Sequence, residues 1–193
     1  RMTPIDRWQR VGVLGLGASG RAAVRLLRAR GAAVTAADEA AIAPEVRAEL
    51  AGLGASVVSP FQGQFDGGLE GVVVSPGIRA DAPCLQALRA CGLPVRAELE
   101  LGWACRGAAR VLAVTGSNGK STLVKLCAEA LAQAGFRAVA AGNYGLPVCE
   151  AVRQGGWDWL VIEASTFQLE TVDAFRPEIG ILLNVHPNHL DRH

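Results

Sequence analysis

The stretch VLAVTGSNGKST, residues 111–122, joins an apolar run to a glycine-rich loop. An apolar strand that leads into such a loop, with a helix after it, is typical of a phosphate-binding loop, whose backbone amides surround phosphate oxygens. In these loops the lysine, here Lys120, reaches the terminal phosphates, and the next hydroxyl, here Ser121, ligates Mg²⁺. The usual first glycine falls on Val114, which makes this a variant loop, and we expect it to bind ATP or GTP with magnesium. The predicted phosphate-binding residues are Gly116, Ser117, Asn118, Gly119, Lys120, Ser121 and Thr122.

A second glycine-rich stretch, residues 15–20, lies between an apolar strand at 11–14 and a helix at 20–30. Glycines there permit a tight turn and a close approach of phosphate to the helix N-terminus. Asp38 follows the next strand, at 33–37, where a carboxylate can accept a hydrogen bond from a ribose. This pattern is the dinucleotide fingerprint and favours NAD binding by an oxidoreductase. Two alternatives stay open: a purely structural turn, and a different phosphorylated ligand held in the same manner.

Three polar residues, Glu163, Asn143 and His189, each follow an apolar strand in the second half of the chain. The carboxyl ends of parallel strands meet at one edge of a sheet, which is where open sheets bind ligands. A carboxylate beside a phosphate loop can hold magnesium directly or through water. The predicted magnesium ligands are Ser121, Glu163 and His189, and the predicted catalytic residues are Lys120, Glu163 and His189.

The three histidines of the chain, His186, His189 and His193, have a spacing that suggests a zinc site. Pro187 interrupts any helix that would align their side chains, which argues against zinc. Magnesium with oxygen ligands suits a phosphate loop better, so we expect His189 to face substrate or metal and His186 to be structural.

Short apolar runs alternate with longer amphipathic stretches along the chain, which predicts an α/β fold with parallel sheets. A helical stretch from Ala97 ends in a small basic turn at Gly107, and a new strand, loop and helix begin at Val111. We therefore expect a Rossmann-like domain over residues 1–107 and a phosphate-loop α/β domain over residues 108–193. Because the chain stops soon after its last strand, the second domain is expected to be truncated.

The composition is that of an ordinary globular protein, with half of its residues hydrophobic, 19% charged and a net charge of +1. Such a balance gives no electrostatic footprint for nucleic acid or an anionic membrane. Five cysteines without a C-x-x-C spacing favour a reducing compartment. There is no signal-peptide layout and no apolar run of about 18 residues. We expect a cytoplasmic monomer that acts on small molecules and contacts neither nucleic acid nor membrane.

Further motifs complete the pattern. They are Ser75-Pro76-Gly77-Ile78, Gly142-Asn143-Tyr144-Gly145-Leu146-Pro147, Glu163-Ala164-Ser165-Thr166-Phe167-Gln168-Leu169-Glu170 and Asn188-His189-Leu190-Asp191-Arg192. In this order, and with both glycine-rich loops, they resemble the Mur ligase family of peptidoglycan precursor synthesis over nearly the whole chain. The element at 167–170 favours the members that add D-glutamate over those that add L-alanine or a diamino acid.

The resemblance gives the first glycine-rich loop another ligand, because the family uses it for the UDP pyrophosphate of its substrate and not for a nicotinamide. The implied reaction joins D-glutamate to UDP-N-acetylmuramoyl-L-alanine through an acyl phosphate, with ATP and Mg²⁺. Asp38 would then face the uracil or its surroundings. The residues that the resemblance implies for the UDP substrate are Gly17, Ala18, Ser19, Asp38, Gly77, Asn143, Ser165, Gln168 and His189.

The family also uses a carbamylated lysine and a C-terminal domain, both of which would follow His193. We therefore expect the 193-residue chain to bind its UDP substrate without turning it over. The alternatives are another Mur-family ligase, an NAD-dependent Rossmann oxidoreductase with an accessory phosphate loop, and a non-catalytic nucleotide sensor. Folylpolyglutamate-type ligases share a similar loop but would not be expected to bind UDP.

Overall fold

Two parallel β-sheets, one from each half of the chain, organise the protein. The computed structural model describes residues 4–65, 67–79 and 81–186. The first sheet consists of β1 (Arg10–Leu14), β2 (Ala33–Ala37), β3 (Ser56–Val58), β4 (Gly71–Val74) and β5 (Val95–Ala97), in the order β3-β2-β1-β4-β5. The second consists of β6 (Arg110–Thr115), β7 (Ala138–Gly142), β8 (Trp159–Glu163) and β9 (Ile179–Leu182), in the order β7-β8-β6-β9. All these strands pair in parallel, so the predicted α/β class is confirmed.

Helices connect most of the strands, because parallel neighbours need a crossover rather than a tight turn. They are α1 (Ala18–Ala29), α2 (Pro44–Gly52), α3 (Pro83–Ala90), α4 (Glu98–Ala104), α5 (Lys120–Gln133), α6 (Val148–Gln154) and α7 (Thr166–Leu169), with a 3₁₀ turn at Ile5–Arg7. Among the helices described here, none combines the length and apolar character needed to cross a bilayer.

The central strands are buried on both faces. β4 is buried along its whole length, and so is β8, which explains why both read as continuous apolar runs. The edge strand β9 differs, with Ile179 exposed by 43% and Leu182 by 64%. The core of each sheet therefore lies around its middle strands.

Both sheets contain a point at which the direction of strand addition reverses. The chain runs outward from β1 through β2 to β3, then returns to the other side of β1 as β4. In the second sheet, β6 lies between β8 and β9 in the same manner. Loops diverge at such a point and leave a crevice at the carboxyl edge of the sheet. The loop at 15–20 follows β1 and the loop at 116–119 follows β6, so both glycine-rich loops lie at these reversal points.

Several short elements depart from the sequence-based expectation. The helix expected from Ala97 begins one residue later as α4, and a three-residue strand, β5, precedes it. Helix α2 was not predicted, because Leu50 is its one buried residue and its apolar positions do not recur along one face. Strand β3 and helix α7 are three and four residues long, too short for a periodic pattern to appear.

Helix α4 joins the two halves of the chain. Leu101 from α4 and Cys149 from α6 belong to one hydrophobic cluster with the buried face of α1. The Glu100 carboxylate accepts hydrogen bonds from the backbone amides of Asp173 at 2.6 Å and Ala174 at 2.8 Å. Buried carboxylates need such donors, because burial without them carries a large desolvation cost. These contacts fix the first sheet and its helices against the second.

Glu98, the first residue of α4, is a second buried carboxyl group at this junction and is only 1% exposed. Its Oε1 accepts a hydrogen bond from the backbone amide of Cys149 at 2.6 Å. Its Oε2 has no hydrogen-bond partner within the described part of the chain. Burial raises the pKa of the Glu98 carboxyl to about 7, although the hydrogen bonds from Cys149 oppose that rise. Below about pH 7 the neutral form of Glu98 is therefore favoured in the folded protein.

We predict that Glu98→Gln removes a pH dependence of stability. As pH rises from about 4.5 to about 7, the unfolded chain loses the Glu98 proton while the folded chain retains it, so the free energy of unfolding falls. The loss amounts to about 3 kcal/mol and persists at higher pH. Urea denaturation at pH 5 and pH 8 should show a smaller drop for Glu98→Gln than for wild type. Exposed Glu45 provides the control, since Glu45→Gln should keep the full drop, and a full drop in Glu98→Gln would contradict the prediction.

Candidate functional site

The phosphate loop lies between β6 and α5. Two of its glycines have backbone angles that other residues rarely adopt, with φ of 140° at Gly116 and 82° at Gly119. The Lys120 ammonium lies over the loop, where Nζ donates to the carbonyl oxygens of Gly116 at 2.7 Å and Ser117 at 3.2 Å. The first amides of α5 have no partners within the helix, as at any helix N-terminus, and they carry the positive end of its dipole. This arrangement of amides and ammonium fits a phosphate group.

Glu163 connects this loop to the neighbouring strand. It ends β8, opposite Val114 of β6 and Gly142 of β7, and is 2% exposed. Its Oε2 accepts a hydrogen bond from Ser121 Oγ at 2.6 Å, and its Oε1 accepts one from Asn143 Nδ2 at 2.9 Å. The structure thus brings three of the predicted site residues into one cluster beside Lys120.

The cluster of Ser121, Asn143 and Glu163 presents oxygen atoms that suit a metal ion. Ser121 Oγ and the Glu163 carboxylate are hard oxygen donors, which Mg²⁺ prefers. Within the described ranges, no group of three or more His, Cys, Asp or Glu residues is arranged to hold an ion. Mg²⁺ needs no such group, because it is commonly held by one or two protein oxygens together with waters and substrate phosphates. The cluster therefore fits Mg²⁺, while the third predicted ligand, His189, lies outside the described residues.

The first glycine-rich loop is tightly built around its two outer glycines. Gly15 has φ of 85°, and its carbonyl oxygen accepts a hydrogen bond from Ser75 Oγ at 2.7 Å. A Cβ on Gly20 would lie 1.7 Å from that same oxygen, so only glycine fits there. Gly17 and Ala18 are exposed at the start of α1, where their backbone can meet a ligand. The predicted loop residues 17–19 thus lie together on the accessible side of the turn.

Asp38 bonds to the loop itself. Its Oδ2 accepts a hydrogen bond from the Leu16 amide at 2.7 Å, and its Oδ1 accepts one from the Ala40 amide at 3.0 Å. The carboxylate therefore joins the end of β2 to the turn after β1. Sequence reasoning placed Asp38 at this edge but did not identify these two partners.

The remaining predicted substrate residues lie around a narrow crevice between the two halves of the chain. The crevice is lined on one side by the loop after β4 and on the other by α7, including Ser75, Pro76, Ile78, Phe167 and Gln168. Gly77, in the same loop, is exposed, and nothing lies within 4 Å of where its Cβ would be. Gln168 thus lines the crevice, Ser165 is bonded to Gln168, and Gly77 lies between the lining residues Pro76 and Ile78.

Ser165 and Gln168 bond mainly to each other. They form a capping box at the start of α7. The backbone amide of Gln168 donates to Ser165 Oγ at 3.3 Å, and the backbone amide of Ser165 donates to Gln168 Oε1 at 3.0 Å. Gln168 is 2% exposed, so it shapes the crevice wall rather than projecting from it. The structure thus gives both residues a structural contact, and their predicted role toward substrate stays a prediction.

Both halves of the chain match known protein families. Residues 9–97 match the family described as the Mur ligase MurD-like N-terminal domain, and residues 114–193 match the Mur ligase middle domain. The chain belongs to the Mur ligase family. The resemblance inferred from the motifs is confirmed.

Individual relatives of the chain agree with this family. The UDP-N-acetylmuramoylalanine--D-glutamate ligase of Koribacter versatilis is 42% identical over 194 residues, covering 97% of this chain and 42% of that protein. The ligase of the same name from Nitratidesulfovibrio vulgaris is 45% identical over 186 residues, covering 94% of this chain and 43% of that protein. The chain therefore spans about two fifths of the length of these relatives.

A solved structure shares the fold. It is the UDP-N-acetylmuramate:L-alanyl-gamma-D-glutamyl-meso-diaminopimelate ligase from Neisseria meningitides, which superposes with a TM-score of 0.59 at 21% identity. The match covers 95% of this chain and 63% of that one. At 21% identity the comparison supports the α/β architecture of the chain and says nothing about its function.

Sequence reasoning missed Asn184, a residue that contacts the phosphate loop. Asn184, just after β9, bonds through its side chain to the backbone of Asn118. Spacing along the sequence did not single out Asn184 as a site residue. Its position at the carboxyl edge beside β6 was the available signal, because polar residues there face the loop of the neighbouring strand.

We predict that Gly20→Ala destabilises the protein although alanine is the better helix former. The helix propensity favours alanine by about 1 kcal/mol, but the new Cβ would meet the Gly15 carbonyl oxygen at 1.7 Å. Backbone must move to accommodate it, so we expect the free energy of unfolding to fall by about 3 kcal/mol. Urea denaturation measures this change.

Gly17→Ala is the matched control, because nothing lies within 4 Å of the Cβ position at Gly17. Losing a glycine at this N-cap should cost less than about 1 kcal/mol. Equal stability of the two variants would show that the Gly20 contact does not constrain the loop.

Proposed function

We propose that this Mur ligase is part of an ATP-dependent enzyme that joins D-glutamate to UDP-N-acetylmuramoyl-L-alanine in peptidoglycan precursor synthesis. One observation carries the proposal: the buried Glu163 carboxylate bonds Ser121 of the phosphate loop on one side and Asn143 on the other. A single carboxylate thus adjoins both the phosphate-binding residues and a residue implied for the UDP substrate. The names of the relatives that are 42% and 45% identical support the choice of substrates.

The two halves of the chain would divide the work. We assign residues 1–107 to a domain that binds the UDP substrate and residues 108–193 to a domain that binds ATP. The first contains the glycine-rich loop and Asp38, and the second contains the phosphate loop. The sugar-peptide part of the substrate would lie across the surface where the two halves meet, beside Gly77, Ser165 and Gln168.

The chemistry requires activation of a carboxylate, which is a poor electrophile. The alanyl carboxylate would attack the γ-phosphorus of ATP, giving an acyl phosphate and ADP. The amine of D-glutamate would then attack the acyl carbon, forming the amide and releasing phosphate. No nucleophilic side chain is needed, so the protein acts mainly by positioning and electrostatics.

Each residue of the cluster has a role in that scheme. Lys120 would leave the Gly116 and Ser117 carbonyl oxygens and bind the transferring phosphoryl group. A hydrogen bond from its ammonium to a charged phosphate oxygen is stronger than one to a neutral carbonyl oxygen. Ser121 and Glu163 would hold Mg²⁺, which supplies positive charge that offsets the charge on the phosphates. Asn143 would face the sugar-peptide part of the UDP substrate while keeping Glu163 oriented. His189 stays a candidate metal or substrate ligand, on the motif alone.

At the first glycine-rich loop, exposed backbone at residues 17–19 and the N-terminus of α1 suit a pyrophosphate. An NAD-dependent oxidoreductase is the rival function for this loop. That function needs Asp38 to accept hydrogen bonds from a ribose. Each Asp38 oxygen accepts one backbone amide but keeps a further lone pair, so these contacts leave both ligands open. The names of the relatives favour the UDP substrate, for which Asp38 would organise the loop.

The proposed reaction also suggests a cellular location and an oligomeric state for the enzyme. The substrates of this reaction are small soluble molecules, so we propose that the enzyme acts in the cytoplasm as a monomer. We propose no partnership with nucleic acid or membrane, in line with the net charge of +1.

We predict that Lys120→Ala weakens ATP binding by about tenfold to a hundredfold, because it removes a charged donor to phosphate. Binding of the UDP substrate should be unchanged, since the glycine-rich loop is untouched. Lys125→Ala is the control, because Lys125 lies exposed on the same helix and pairs with Glu129 at 3.9 Å. Tryptophan fluorescence during titration with MgATP and with UDP-N-acetylmuramoyl-L-alanine provides the measurement.

Two outcomes would count against the proposal. Equal ATP affinity in the Lys120→Ala and Lys125→Ala variants would remove the phosphate loop from the site. Binding of NAD in competition with the UDP substrate would instead support the oxidoreductase.

A further inference from the structure

The phosphate loop is hydrogen-bonded to residues 184–186, the segment that follows β9. The Ser117 amide donates to the Asn184 carbonyl oxygen at 3.1 Å. Ser117 Oγ donates to the His186 carbonyl oxygen at 3.1 Å and accepts from the His186 amide at 2.8 Å. These bonds tie the middle of the loop to the segment after the neighbouring strand β9 rather than to its own helix.

Asn184 adds a second pair of bonds through its side chain. Its Oδ1 accepts a hydrogen bond from the backbone amide of Asn118 at 3.0 Å, and its Nδ2 donates one to the backbone carbonyl oxygen of Asn118 at 3.2 Å. One side-chain amide therefore holds the backbone of Asn118 at both its N–H and its C=O. Rotation of the backbone at Asn118 would break at least one of these bonds.

Close backbone packing supports the same contact independently. A Cβ on Gly116 would lie 3.1 Å from both the nitrogen and the oxygen of Asn184. Leu183 Cδ1 lies 3.7 Å from the Cβ position of Gly119. The segment after β9 thus packs against both glycines of the loop.

We propose that Asn184 is a positioning residue for the phosphate loop, an inference that rests on the proposed ATP function. Asn118 directly precedes Gly119, the left-handed residue from which α5 starts. By fixing the Asn118 backbone, Asn184 sets the backbone orientation at Gly119. It thereby sets the direction in which the N–H groups in the first turn of α5 point. The amides of Ser117 and Asn118 already have partners, so the phosphate is left to those first-turn amides and to Lys120. Holding the loop before the ligand arrives lowers the ordering cost of binding.

This role differs from ordinary structural support. Asn184 is partly exposed, and its bonds to Asn118 lie at the surface, where water can replace them in the folded protein. Their loss should therefore leave global stability nearly unchanged while loosening the loop. A residue that merely supported the fold would lower the unfolding temperature together with ATP affinity.

The test compares Asn184→Ala and Asn184→Asp with wild type and with Gln133→Ala, a surface amide at the end of α5. We expect Asn184→Ala to raise the Kd for MgATP about tenfold, as expected for two lost hydrogen bonds, with little change in unfolding temperature. Asn184→Asp keeps the acceptor for the Asn118 amide but has no donor for its carbonyl oxygen. We expect it to weaken MgATP binding at least as much, because its charge also faces the phosphate. Gln133→Ala should bind like wild type.

Other results would overturn the inference. An unchanged Kd in Asn184→Ala would show that the loop holds its shape without this side chain. A lower Kd would show that Asn184 competes with phosphate instead of positioning the loop. If Asn184→Ala does not fold, Asn184→Asp decides, since a wild-type Kd or a parallel loss of thermal stability in that variant contradicts a positioning role. Failure of the wild type to bind MgATP would refute the ATP function itself, which is a separate and recognisable result.

Discussion

The buried carboxylate of Glu163 is the constraint on which the second half of the molecule depends. Parallel register places Glu163 beside the ends of β6 and β7, and a Cβ on Gly142 would lie 2.3 Å from the Glu163 carbonyl oxygen. The absence of that Cβ lets the strands meet closely enough for Asn143 to bond both the backbone and the side chain of Glu163. The other carboxylate oxygen accepts from Ser121, so the phosphate loop is oriented by the same side chain.

The first half of the chain is held against this centre through α4. The Glu98 carboxyl group accepts a hydrogen bond from a backbone amide of α6, the Glu100 carboxylate accepts two from residues 173–174, and Leu101 enters the core beneath α1. Losing these donors would leave buried polar groups without hydrogen bonds, at a high desolvation cost. The contacts therefore resist separation of the two halves. The carboxyl edges of the two sheets are therefore held in a fixed position relative to each other. A substrate that spans the crevice beside Gln168 would require this.

Much of this could be predicted from the sequence, because central strands are uniform apolar runs and parallel topology brings their carboxyl ends together. Strand β2 was expected at its observed bounds, and Glu163, Asn143 and Ser121 were expected at one edge. Short edge elements such as β3 lack enough residues for a pattern. The partners of Asp38 and Asn184 depend on the reach of a side chain across non-adjacent segments, which spacing along the chain does not encode. The binding roles themselves stay predictions, and His189 lies outside the described residues.

The Mg²⁺ dependence of ATP binding in Glu163→Gln tests the central role of Glu163 most directly. Glutamine keeps the size and an acceptor for Ser121 but removes the charge that would hold the ion. We predict that Mg²⁺ tightens ATP binding about tenfold or more in wild type, and equally in Glu129→Gln, an exposed control on α5. In Glu163→Gln most of that effect should disappear, while ATP alone binds as before. An undiminished effect of Mg²⁺ in Glu163→Gln would contradict the assignment of Glu163 as the carboxylate that joins the phosphate loop to the substrate crevice.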